Sequence, residues 1–229
     1  MAESPTEIHK GDTMPILQSL AKHFLAKQLA RPRGLFGRYL MGRFLNRATL
    51  AHCTLVLDDL GVEATDRVLE VGFGGGALIE RIAQRSPRGV VAGLELSEEM
   101  VAAAGARFRT LVAAGRLQVK RGSVDALPYP EGYFDKACSV NTVYFWPSLA
   151  AGLAELHRVL RPGGRLVLGF TSDKEMRGAG LHKEGFALYS QDDLSAALSH
   201  HGFRPGPVRT GSDMRGTFFS LAAERLGAR

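Results

Sequence analysis

The sequence predicts a doubly wound α/β fold, a mostly parallel sheet with helices on both faces, and three observations point there. From Arg67 onward, short apolar runs alternate with longer helical patterns; the runs are rich in Val and Leu without polar alternation; and a glycine-rich turn follows the first of them. An apolar run lacking a period of two is a strand covered on both faces, as in a parallel sheet with crossover helices. A chain of 229 residues, 45% hydrophobic and 23% charged, is long enough for one such domain with a short extension.

Taken in order, the residues up to about 14 are polar, carry Pro5 and Gly11, and read as a frayed tail. Residues 16–30 read as a helix; the following "RPRGLFGRYLMGRFLNR" is interrupted by Gly34, Gly37 and Gly42 and reads as broken helix. Residues 48–60 form a cleaner apolar-periodic helix that Gly61 stops. Strands are expected at 68–71, 90–96, 117–120, 137–145 and 166–170, and helices at 78–85, 98–114 and 149–160. Ser190 and Asp193 make a capping-box variant for a helix ending at Gly202, and residues 208–210 and 217–222 read as two closing strands. The expected division is a tail and basic helical lid over residues 1–60, then an α/β body over 61–229.

Charge supports that division. The net charge is +6, yet seven of the 29 bases lie between residues 13 and 57 with no acid among them, leaving 22 bases against 23 acids elsewhere. One basic segment on a near-neutral body suits an arm or lid better than a protein that coats nucleic acid, and DNA is not an expected partner. On a helical projection Leu35, Phe36, Tyr39, Leu40 and Phe44 share one half with Arg43 and Arg47, which a membrane-surface helix would separate. A lid with Tyr39 and Arg43 facing the substrate is therefore favoured, with transient membrane-surface contact as the alternative. No run of about 18 apolar residues and no signal-peptide layout is present, so the expectation is a soluble, cytoplasmic protein. Cys53 and Cys138 are expected as buried free thiols, and Cys and His show no metal-ligand spacing.

The turn itself, "EVGFGGGA" at residues 70–77, fits two templates. As G-x-G-x-x-A it is the pyrophosphate turn of a dinucleotide site; as E-x-G-x-G-x-G it suits a cofactor that carries positive charge. Gly72, Gly74 and Gly76 allow close backbone approach either way, so the spacing does not choose. Glu70 leans toward the second. A pyrophosphate wants N–H groups and no nearby carboxylate, whereas S-adenosylmethionine brings an ammonium and a sulfonium. Glu95, ending the next apolar run, suits a pair of ribose hydroxyls, a feature that nicotinamide enzymes share. Ser97 caps the next helix, whose first turn holds Glu98 and Glu99.

Four segments, "VLEVGFGGG", "GLELSEEM", "GSVDALPYPEGYFD" and "LHRVLRPGGRLVLGF", stand in order over residues 68–170. With them the chain resembles the class I S-adenosylmethionine-dependent methyltransferases, in particular the branch with ubiquinone/menaquinone-biosynthesis and small-molecule enzymes. The resemblance implies a seven-stranded, Rossmann-like sheet ending in an antiparallel hairpin, and S-adenosyl-L-methionine as cofactor. It implies that Glu70, Gly72, Phe73, Gly74 and Gly76 hold the methionine part and Glu95 the ribose, with Leu96 and Met100 flanking the adenine. Many relatives carry an acid directly after the glycine of "GSVDALP"; here Ser123 stands there, which shifts the adenine contact toward Asp125 or the backbone around Val124.

Methyl transfer from a sulfonium is an in-line displacement, so positioning and water exclusion supply much of the rate, and a base is needed only where the acceptor loses a proton. At the end of the fourth run, "SVNTVYFWP" offers Asn141 to cofactor or acceptor and Tyr144, Phe145 and Trp146 as an apolar wall, with core packing the competing reading for Phe145. It departs from the N-P-P-[YF] pattern of DNA adenine methyltransferases. The long connection at residues 171–190 adds His182, Lys183 and Tyr189 as acceptor contacts or proton acceptors. Asn141, Tyr144 and His182 are thus the catalytic candidates, with Tyr39, Arg43, Trp146 and Tyr189 for substrate; His157 reads as structural. The expected function is methylation of a small aromatic or lipid-like acceptor. The alternatives are a membrane-face phospholipid or quinone methyltransferase, a cofactor-binding protein without catalysis, and a nicotinamide-dependent dehydrogenase on a similar sheet.

Overall fold

The computed structural model describes residues 50–227 except 179, 185, 214 and 215. The expected tail, the basic segment, Tyr39 and Arg43 lie outside the described residues. The chain enters through α1 (Leu50–Leu60) and alternates β1 (Arg67–Val71), α2 (Ala77–Arg85), β2 (Val90–Glu95), α3 (Glu98–Arg107), α4 (Arg109–Ala113) and β3 (Leu117–Arg121). β4 (Phe134–Val140), α5 (Leu149–Val159) and β5 (Leu160–Thr171) follow, then α6 (Asp173–Gly178), α7 (Gln191–His200) and the hairpin β6 (Phe203–Asp213) and β7 (Gly216–Arg225).

The seven strands lie in the order β3-β2-β1-β4-β5-β7-β6. β1 to β5 pair in parallel, and β7 joins β5 and β6 antiparallel, so the sheet is the doubly wound, Rossmann-like one that the alternating pattern implies. The chain runs outward from β1 in one direction and from β4 in the other. Between these two strands the carboxyl ends open into a crevice, the place where such sheets hold ligands.

Each face of the sheet has its own core. On one, Val56, Leu57 and Leu60 of α1 pack with Leu78, Ile79 and Ile82 of α2; on the other, Leu153 and Leu156 of α5 meet Leu194 and Leu198 of α7. These side chains are essentially fully buried, each contributing about 1.5–3 kcal/mol of hydrophobic stabilisation. Gly169 lets α1 lie directly on β5, since a Cβ there would stand 2.7 Å from Val56 and 2.8 Å from His52. A buried pair, Lys136 to Asp66 at 2.6 Å, ties β4 to the start of β1, and Lys136 also donates to the Gly61 carbonyl that ends the α1 segment. The capping box at Ser190 and Asp193 forms in full. No helix among the described residues is long and apolar enough to cross a membrane.

Several elements differ from the sequence expectation, among them β6 (Phe203–Asp213), expected only at 208–210. The helix expected at 98–114 breaks at Phe108 (φ −106°, ψ 25°), whose buried ring packs under the glycine turn 2.8 Å from where a Cβ on Gly76 would lie. The strand expected at 137–145 stops at Val140: Asn141 turns left-handed (φ 56°) and residues Val143–Phe145 form a 3₁₀ turn. β5 begins earlier than expected because Leu160 already pairs with Phe134; residues 161–164 then bulge out before Arg165 pairs with Lys136, with Arg161 gripping Asp135. The long connection after β5 is not structureless, for it contains α6 and the 3₁₀ turn Leu181–Glu184.

Candidate active site

A cavity of about 370 Å³ occupies the crevice beyond β1, β2, β4 and β5. Its first wall is the glycine turn. Gly72 (φ 75°) must lack a side chain because its Cβ would fall 2.3 Å from the Thr142 methyl of the neighbouring strand end. The turn thereby lies tight against the β4 exit, with the Gly72 N–H given to the Leu94 carbonyl, the Gly74 N–H to Glu95 and the Gly76 N–H to the Phe73 carbonyl.

Glu70 ends β1 inside this wall and is 3% exposed. Its carboxylate accepts the Ile79 N–H in the first turn of α2, while Oε2 has no hydrogen-bond partner among the described residues. Burial foremost, and then the nearby charge of Glu95, hold its pKa well above the usual carboxylate range, against the lowering effect of the Ile79 N–H. An oxygen so placed favours a ligand that brings a cation or a donor to it.

Glu95 at the end of β2 is oriented by two main-chain donors, Gly74 N–H to Oε2 at 3.0 Å and Ser97 N–H to Oε1 at 3.1 Å. Its carboxylate therefore faces the cavity in a fixed plane, the arrangement that receives a pair of vicinal hydroxyls. Leu96, Ser123 and Val124 complete this end, with the buried Ser123 Oγ lacking a hydrogen-bond partner among the described residues. An ammonium, a ribose and a flat base each find a matching surface here, so the residues present fit S-adenosylmethionine.

The other wall is apolar and comes from further along the chain: Tyr144, Phe145 and Trp146 after β4, and Met176, Leu181 and Phe186 from the connection after β5. Phe145 and Phe186 meet edge to face, centroids 4.6 Å apart. Phe145 lines the cavity and also packs on the core. The Tyr144 hydroxyl donates to the Thr171 carbonyl at 3.3 Å and accepts the Thr171 N–H, and burial pushes its pKa up to about 12. Trp146 Nε1 donates to Thr142 Oγ1 at 3.3 Å.

Between the walls stands Asn141. Its left-handed backbone is held by its own N–H to the Gly169 carbonyl (2.8 Å), and its amide is gripped on both sides. Thr171 Oγ1 donates to Oδ1 at 3.1 Å, and Nδ2 lies 3.2 Å from His52 Nδ1. His52 Nε2 faces the Phe219 carbonyl at 2.9 Å. A carbonyl only accepts, so the proton sits on Nε2 and leaves Nδ1 to accept from Asn141. Non-glycine residues adopt this backbone at a cost of about 1–3 kcal/mol and persist there when the surroundings hold them, commonly at functional sites.

Of the residues expected at the site, Glu70, Gly72, Phe73, Gly74 and Glu95 gather around the cavity on one side. Leu96, Ser123, Val124, Asn141, Tyr144 and Trp146 complete the set. Gly76, Met100 and Asp125 are not among its lining residues. Gly76 instead makes room for Phe108, and Met100 is buried in the core beneath the turn. His182 is exposed on its 3₁₀ turn and Tyr189 borders a separate polar hollow beside α7. The Lys183 side chain lies outside the described residues. His157 packs on Phe203 and under Gly202, a structural place. Thr142, Thr171, Glu175 and His52 were not singled out from the sequence; His52 and Asn141 are 89 positions apart, and no local pattern couples them.

A model of the methyltransferase domain matches residues 69–168. The chain is 30% identical over 194 residues to the 27-O-demethylrifamycin SV methyltransferase of Amycolatopsis mediterranei, covering 78% of this chain and 71% of that one. It is 35% identical over 140 residues to the ubiquinone/menaquinone biosynthesis C-methyltransferase of Dinoroseobacter shibae, 59% of this chain and 53% of the relative. The chain spans 60% or less of the length of several other curated relatives it matches. Its fold is shared with a solved S-adenosylmethionine-dependent methyltransferase from Aquifex aeolicus, TM-score 0.68 and 21% identity over 81% of this chain and 97% of the other.

Proposed function

We propose, from the premise that this chain belongs to the class I S-adenosylmethionine-dependent methyltransferases, that it methylates a small organic acceptor whose body is apolar. The observation that carries this is the division of one cavity into a carboxylate-bearing half and an aromatic half, with Asn141 at the seam. A relative named for an O-demethylated rifamycin supports a small organic acceptor as the class.

When bound, S-adenosylmethionine supplies an activated methyl group whose leaving sulfur is already positive. The chain's own residues then have binding and orientation to perform. Glu70 meets the ammonium with its unpartnered oxygen, and Glu95 meets the ribose hydroxyls in the plane that Gly74 and Ser97 set. Ser123 Oγ and the backbone at Val124 meet the base. Asn141, fixed by Thr171 and His52, presents its remaining amide hydrogen at the boundary, and Tyr144, Phe145 and Phe186 hold the acceptor while excluding water. Holding both reactants in line in a dry site is the larger part of what this reaction asks of a protein.

Titration calorimetry tests the assignment. S-adenosylmethionine and its demethylated product should bind with dissociation constants in the micromolar range typical of such sites, on the order of −8 kcal/mol, and NADH should not. Binding of NADH alone would overturn it.

A further inference from the structure

Among the described residues, five titratable side chains line the cavity: Cys53, Glu70, Glu95, Tyr144 and Glu175. Glu70 and Glu95 face the donor, and Cys53 lies near the Cys138 and Glu70 pair on the same side. The Tyr144 hydroxyl is held by the β5 main chain. Glu175 is the carboxylate placed among the acceptor-side residues. It sits on α6, four residues after β5 ends at Thr171, beside Met176 of the aromatic half.

Glu175 has a local setting of its own. Oε1 accepts the Thr217 N–H over a long 3.4 Å, and the carboxylate lies on Gly216, where a Cβ would stand 2.7 Å from Cδ. Among the described residues Oε2 has no hydrogen-bond partner. The carboxylate is half-buried, and beside an apolar wall it offers a ligand one acceptor oxygen that no protein donor occupies. A hydroxyl carries one donor hydrogen and matches one free oxygen. An ammonium carries three, and the apolar wall would leave the others unsatisfied.

We propose that Glu175 is the acceptor-binding carboxylate and that the acceptor is an apolar molecule bearing a hydroxyl group, whose hydrogen Glu175 receives. The proposal rests on the methyl-transfer reading above. The step it serves is balanced: the oxygen–methyl bond forms from an oxygen lone pair as the carbon–sulfur bond breaks, sulfur keeps that pair, and the hydroxyl proton passes to Glu175. The competing role for Glu175 is a clamp that holds the β6–β7 hairpin against α6.

The test uses the full chain, its Glu175→Gln and Glu175→Ala variants, and three probes: 2-naphthol, 2-methoxynaphthalene and the cationic 2-(aminomethyl)naphthalene. Wild type should bind 2-naphthol roughly tenfold more tightly than the methyl ether. That preference should disappear in E175A. In E175Q, which keeps the shape and the Thr217 contact, the preference should be smaller. Equal binding of naphthol and ether by wild type, a preference that survives in E175A, or tightest binding of the amine would overturn the proposal. So would a lowered melting temperature in E175Q with wild-type probe binding, the mark of a clamp. S-adenosylmethionine affinity is measured on the same samples: its absence in wild type sinks the methyl-transfer reading, while its presence without naphthol selectivity sinks only the role of Glu175.

Discussion

The two halves of the cavity are built differently. The carboxylate-bearing half takes its groups from the carboxyl ends of β1 and β2 and from the residues just after β1, β2 and β3, in short stretches where the fold follows the chain. The acceptor half combines the β4 exit, the end of β5 and the segment through α6 to Phe186, and its seam residue Asn141 is held by His52 of α1. In the first, backbone turns and carboxylates fix polar contacts at short range; in the second, side chains remote in sequence make a dry surface. One half can thus be kept for a constant cofactor while the other changes with the acceptor.

Gly72 is where the halves touch, and changing it should damage both. Gly72→Val puts a branched side chain at φ 75° and into the Thr142 methyl, so a loss of about 3 kcal/mol or more is expected, seen as a lower denaturant midpoint with donor and acceptor binding both impaired. A variant that keeps full stability would break the claim that this contact joins them.

Glu70→Gln should separate them. Donor affinity should fall by about 2 kcal/mol, roughly thirtyfold, with binding of apolar probes unchanged in calorimetry. The pH dependence follows from the raised pKa of Glu70. The folded protein keeps a proton there that the unfolded chain has released, so the ligand-free protein loses stability as pH rises from the usual carboxylate range through the folded value. A cationic ligand favours the ionised form, so donor affinity should rise over the same window and level off above it. In Glu70→Gln both trends should flatten, and the ligand-free variant should melt higher than wild type near neutral pH. A lower melting temperature would instead make Glu70 a structural cap for α2.

Glu95→Ala should cost the donor about 1.4 kcal/mol, a tenfold weaker affinity, and release the Gly74 and Ser97 N–H groups to water. An unchanged affinity would remove Glu95 from the ribose role. Phe186→Leu is the mildest: about 1 kcal/mol or less in stability, a few-fold weaker binding of aromatic probes and no change for the donor. A change in donor affinity would show that the halves are not separable.

How much was legible in the sequence follows the same division. The β1, β2 and β3 strands, the Ser97 and Ser190 caps and the glycine turn were all legible, because each carries a local signature of apolar run, capping side chain or glycine spacing. The break at Phe108, the left-handed turn at Asn141 and the early start of β5 were not. Each is imposed by a partner elsewhere: Phe108 by the turn at Gly76, Asn141 by Gly169 and His52, Leu160 by its pairing with Phe134. In the connection at 171–190 composition drew attention to His182 and Tyr189, whereas the fold turns Glu175, Met176 and Phe186 to the cavity.

From the sequence alone came the doubly wound sheet, the family and the two carboxylates expected to meet the donor, since hydrophobic period and turn chemistry are written in neighbouring residues. The tertiary structure alone decided which aromatic residues wall the cavity, that Asn141 is locked between Thr171 and His52, and that Glu175 stands among the lining residues. These depend on chain segments that meet only when the sheet closes, and no spacing along the chain records where they meet.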